Sequence, residues 1–192
     1  MTRRDPRPIS TTDHYPRPTV SNMFSRAGRA SLLDRKPFTE AFFDGDAAAD
    51  AAILVSTVAG TTYVGRLLLN GSVGDFSFPT LLRIVIAGVV SWLVLGFATW
   101  FTATRLFGAS SRPQTMIALH GLAVLPLLLE LTGTIGSSVG LVWYLVILAV
   151  ATREAAEIKI RDAAVSVLIG FAIAVIFRAL LSVPFAVFGA LF

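Results

Sequence analysis

The sequence has no cysteine, only two histidines, and little charge: Asp, Glu, Lys and Arg make up 15% of its 192 residues. Without cysteine, disulfide scaffolds, thiol catalysis and thiolate metal sites are excluded. With only His14 and His120, no metal-ligand spacing arises. No Gly-rich phosphate loop occurs, nor any Ser/His/Asp set placed to converge. Catalytic, cofactor and metal sites are therefore expected to be absent, and a non-enzymatic role is expected. Soluble domains carry about 25% charged residues, so the shortfall argues against a fully hydrated surface. No apolar run precedes Ala47, so no cleavable signal peptide is expected.

What is present is apolar: 55% hydrophobic residues and a mean hydropathy of +0.74. From Ala47 onward, long apolar blocks alternate with short polar breaks. Water does not solvate such blocks and a bilayer does. The expected fold is all-α: a polytopic membrane protein with five transmembrane helices, preceded by a disordered tail and a short interfacial helix. The spans are read at 47–69, 81–104, 115–131, 137–151 and 163–182. Crossing the hydrocarbon takes about 20 helical residues, so the third and fourth need local thinning or borrowed flanks. Gly133, Gly136 and Gly140 crowd the start of the fourth. Residues 185–192 either prolong the fifth helix beyond Pro184 or lie at the surface; prolongation is preferred.

Residues 1–19 hold four prolines and few apolar side chains, a composition that cannot offset the entropy of ordering. Pro-Arg-Pro occurs twice there, as a docking peptide in polyproline II form or as part of a solvated basic tail. Residues 20–35 fit a short surface helix, with Val20, Phe24 and Ala27 at helical spacing. The pattern restarts over 37–43 with Pro37 at a helix start. Basic, aromatic-bearing helices before a first span commonly lie flat in the headgroup layer. The domain division is a tail at 1–36 and a membrane domain at 37–192.

The net charge of +4 and pI near 10.1 come without a nucleic-acid recognition motif, so anionic headgroups are the expected counterpart. Eight of the sixteen Lys and Arg precede residue 37. The breaks at 70–80, 105–114, 132–136 and 152–162 hold none, two, none and three. By the positive-inside rule this alternation requires an odd number of spans, a cytoplasmic N-terminus and a C-terminus on the opposite side.

Ionisable groups inside spans are costly and carry functional weight. Arg66, Arg83, Glu130 and Arg178 all fall in the outer halves of their expected spans. They are read as an intramembrane polar cluster in which Glu130 pairs with one or more arginines. The alternative is that the arginines snorkel separately to headgroups. Asp50 lies in the first turn of the first span, where acids complement the helix dipole. Gly121 and Pro126 mark a kink in the third span. Glycines at 60, 65, 88 and 96, and the stretch Gly170-Phe-Ala-Ile-Ala174, permit close helix approach.

Three stretches taken together carry a family likeness: Pro37-Phe-Thr-Glu-Ala-Phe-Phe-Asp-Gly-Asp46; Thr104-Arg-Leu-Phe-Gly-Ala109 followed by His120-Gly-Leu-Ala-Val-Leu-Pro126; and the charged run from Ala151 to Ala164. The chain resembles the YIP (Ypt-interacting protein) domain family over about residues 37–181, with Leu122 where that family places an aromatic. The resemblance implies five spans and a cytoplasmic N-terminus. Eukaryotic relatives are linked to small GTPases. Fourteen Arg against two Lys, with no eukaryotic sorting motif, point instead to a prokaryotic plasma membrane, and GTPase binding is not carried over. The expected role is a membrane scaffold or accessory subunit. Its partners would be membrane lipids, other integral membrane proteins or a second copy of the chain, and not nucleic acid. The competing expectation is a small transporter or channel using the polar cluster.

Overall fold

The computed structural model describes residues 20–191 and contains helices and no strand among them; the tail at 1–19 lies outside the described residues. Two short helices, α1 (Val20–Ser31) and α2 (Lys36–Phe43), precede five long elements. These are α3 (Ala47–Leu69), α4 (Phe78–Phe107), a third span, α6 (Thr134–Ala156) and α7 (Ile160–Leu191). The third span consists of α5 (Pro113–Leu122) and a 3-10 segment (Leu125–Thr132). All five long elements are long and apolar enough to cross a membrane, the architecture of an integral membrane protein.

Local chemistry sets the boundaries. Ser77 caps α4 by accepting from the Thr80 amide at 3.4 Å, with Pro79 in the first turn. Gly108 ends α4 in a left-handed conformation, φ 67°, and the next amide reaches back to the Ala103 carbonyl at 3.2 Å. The connections are short, so successive spans run antiparallel. Only Gly133, at φ 92°, separates the 3-10 segment from α6.

The fourth span is longer than its sequence pattern implies, 23 residues instead of 137–151, because its glycine-rich start is helical. A Cβ on Gly140 would lie 2.5 Å from the Pro126 carbonyl oxygen, and one on Gly136 would collide with Leu129 and Thr132. The first two turns of α6 thus lie directly against the 3-10 segment, and glycine spaced by four is what admits that approach. Similar crossings pin the rest of the bundle: Gly121 against Ala51, Gly170 against Thr99, and Gly96 with Ile117. The fifth helix continues through Pro184 to Leu191.

The third span is the most enclosed, with 50% of its apolar stretch buried against 22–33% for the others. It is flanked by α3, α4 and α6 and covered on its remaining side by α1 and α2. The short helix expected before the first span is a pair of helices, and they pack on the bundle. Met23, Ala27 and Ala30 of α1 and Phe38 and Ala41 of α2 are buried in the common core, while Phe24, expected on the apolar face, is 37% exposed. The indole of Trp143, near the middle of α6, donates to the Ser31 carbonyl at 2.9 Å. Arg35 pairs with Glu154 at 3.5 Å. The two short helices form a hairpin, turned at Leu33 (φ 61°), that is packed into the side of the bundle. Small side chains on α1 let it sit close, and close packing buries apolar area on both sides of the contact.

Candidate functional site

Pro126 shapes the site from within the third span. Proline lacks an amide hydrogen and its ring obstructs the preceding helical turn. Accordingly α5 stops at Leu122, and the chain resumes as a 3-10 segment from Leu125, a tighter winding. Gly121, just before the break, is pressed against Ala51 of α3. The expected kink is therefore a change of helix type, with Gly121 and Pro126 on either side of it.

Over the five steps from Leu125 to Glu130, the tighter winding accumulates about 100° of extra rotation relative to an α-helix. Glu130 thereby faces the last turn of α3, and its Oε2 lies 3.2 Å from Nη2 of Arg66. The pair is half open, with side-chain exposures of 28% for Glu130 and 59% for Arg66. At that exposure it adds at most about 1 kcal/mol to stability. Arg83 and Arg178 do not join it. Both side chains are exposed and neither has a carboxylate partner among the described residues. The expected four-residue cluster is thus an Arg66–Glu130 pair with two separate arginines on the outward faces of α4 and α7, the arrangement expected of snorkelling side chains.

Around the pair lies a cleft of about 460 Å³, bounded by Arg66 and Asn70 from the end of α3, by Glu130, and by Thr134, Ser137 and Ser138 from the first turns of α6. Sequence reasoning found the two charges and missed Asn70 and the three hydroxyl residues. Their only signal was a polar run at an expected span start. The loop closing this end of the bundle is held by the Tyr63 hydroxyl, which accepts from the Ser77 amide at 3.1 Å.

Two other polar groupings lie elsewhere. Arg26, 12% exposed, reaches Asp44 at 2.7 Å, and Arg29 reaches Glu40 at 3.2 Å. These pairs tie α1 to α2 and to the residues leading into α3. His120 is fully buried, with Nε2 3.2 Å from Thr152 Oγ1, which joins the third span to α6. Among the described residues no group of three or more His, Asp or Glu is placed to hold a metal. Comparison of the chain with family models, curated proteins and solved structures returns no match.

Proposed function

We propose that the chain is a non-enzymatic membrane scaffold or accessory subunit of the YIP domain type, resident in a prokaryotic plasma membrane with its N-terminus cytoplasmic. The observation that carries this reading is the close packing of α6 on the third span beneath a cleft confined to one end of the bundle. The cleft beside Glu130 is lined only by residues within about two turns of one end of the bundle. Behind it, the Gly140–Pro126 contact brings α6 and the third span together. A transporter needs a polar route near mid-span; the buried polar groups are few, with His120 Nε2 meeting Thr152 Oγ1 and with His120 Nδ1, Ser91 Oγ and Thr99 Oγ1 left without a partner.

The outer surface supports the same reading. Along α7, Val165, Leu168, Ile169, Ile173 and Ile176 are exposed, a face suited to lipid or to a neighbouring span. Its partners are membrane lipids and other integral membrane proteins or a second copy, with the basic tail available on the cytoplasmic side.

The test pairs two measurements on the full chain. In liposomes loaded with ions or small zwitterions, efflux should match protein-free vesicles. A photo-cross-linker placed at Leu168 or Ile176 in native membranes should give one discrete product at high yield. Glu130-dependent efflux would overturn the reading in favour of a small transporter.

A further inference from the structure

We propose that the Arg66–Glu130 cleft seats the headgroup of an amine-bearing phospholipid of the phosphatidylethanolamine class. The proposal rests on the membrane-scaffold reading and names the lipid partner of the same site. Its cleft volume of about 460 Å³ falls within the range of small-ligand sites, and its lining carries both charges of a zwitterion. The guanidinium of Arg66 meets Glu130 through one nitrogen at 3.2 Å, which leaves most of its donor fork for a phosphate. The Glu130 carboxylate has two oxygens, of which one makes that approach, so it can accept from a primary ammonium. Asn70, Thr134, Ser137 and Ser138 supply further polar groups around the rim.

An apolar track runs along α6 on the face next to the cleft, about a third of a turn from Thr134, Ser137 and Ser138. Ile135, Val139, Val142 and Val146 are all exposed and spaced by four, three and four residues, so they form one stripe on α6. A polar seat at the head of a long apolar stripe is the geometry of an amphiphile. The charge pattern selects among headgroups. An anionic glycerol headgroup would satisfy Arg66 but bring negative charge towards Glu130. A choline has no N–H to donate to the carboxylate. A primary amine next to a phosphate matches both residues.

The full-length protein is to be equilibrated with phosphatidylcholine vesicles containing, in separate samples, phosphatidylethanolamine or phosphatidylglycerol. Retained lipid is then read by native mass spectrometry. Phosphatidylethanolamine should be retained about fivefold over the other two, the effect of one charge-assisted hydrogen bond in a half-exposed site. E130Q should bring it to the phosphatidylcholine level, and R66Q should lower retention of every phospholipid. R83Q and R178Q should retain the preference. Ser138→Trp, which fills the cleft without touching either charge, should abolish the preference at an unchanged unfolding temperature. Equal retention of the three lipids, or a preference that survives E130Q, overturns the proposal. Saturable binding of soluble O-phosphoethanolamine by the delipidated protein, with no lipid preference, overturns it in favour of a free zwitterion. Failure here appears as lipid retention indifferent to Glu130, whereas failure of the scaffold reading appears as solute efflux.

Discussion

Gly170 on α7 is pressed against Thr99 on α4, and a Cβ at that position would run into the Thr99 backbone and hydroxyl. Backbone cannot yield as a flexible side chain does, so overpacking there should separate two helices that lie side by side over much of their length. G170V is expected to destabilise the protein by about 1–3 kcal/mol, seen as a lower unfolding temperature in detergent. Gly88 is the contrast: its Cβ would meet only the Ala59 methyl at 3.3 Å, and G88A should change that temperature by much less. At this scale the sequence was half legible. Small residues such as Gly170 and Ala174 mark close approach, because few other residues permit it. The depth of each charge follows from its position along a span. What the sequence does not encode openly is the angle around the helix axis. Arg66, Arg83 and Arg178 look alike by depth, yet only Arg66 points at Glu130.

That angle is set by an element, the 3-10 segment, and so belongs to a larger scale. If Pro126 enforces the tighter winding, P126A should let the α-helix extend and swing Glu130 away from α3. The chain lacks cysteine, so a Cys pair at positions 66 and 130 reports on this geometry without interference. The pair should be bridged by a short bifunctional thiol reagent, which replaces the reach of the two long side chains, in the Pro126 background, and its yield should fall at least severalfold with P126A. The α1–α2 hairpin makes a second prediction. D44N keeps an oxygen to accept from the Asp46 amide, a 3.0 Å contact, but removes the charge opposite Arg26. The 12% exposed guanidinium keeps only a longer approach to Glu40 at 3.7 Å, so hairpin docking should weaken by about 1.5 kcal/mol, the worth of one hydrogen bond to a charged group. Trypsin cleavage after Arg35 should accelerate accordingly, the Lys36-Pro37 bond being resistant, while R26M, which removes the charge from the enclosed position, should accelerate it less. Helix positions here were readable from Pro37 and the apolar spacing. Docking was not, since Trp143 and Ser31, 112 residues apart, share no local signal.

For the whole molecule, the five long apolar elements were plain in the sequence because hydrocarbon thickness dictates a minimum length. The fourth was underestimated where glycines, poor helix formers in water, serve instead as contact points with the third span. Five crossings, if all five elements span, would put residues 20 and 191 on opposite sides. Reporter fusions after Gly108 and after Phe192 should therefore give opposite compartment readings, and identical readings would require an even count. The placement of the hairpin bears on how the protein assembles. The third span changes helix type between Leu122 and Leu125, where the Val124 amide reaches only the Gly121 carbonyl at 3.3 Å, and its flank is covered by α1 and α2; irregular backbone at membrane depth is tolerated where protein covers it. The segment synthesised first must consequently wait for later spans before it finds its seat, and the middle of the chain matures only when the beginning returns to it. Loss of residues 20–43 should then be felt as premature degradation of an otherwise inserted protein, since the missing piece is a wall of the third span's enclosure.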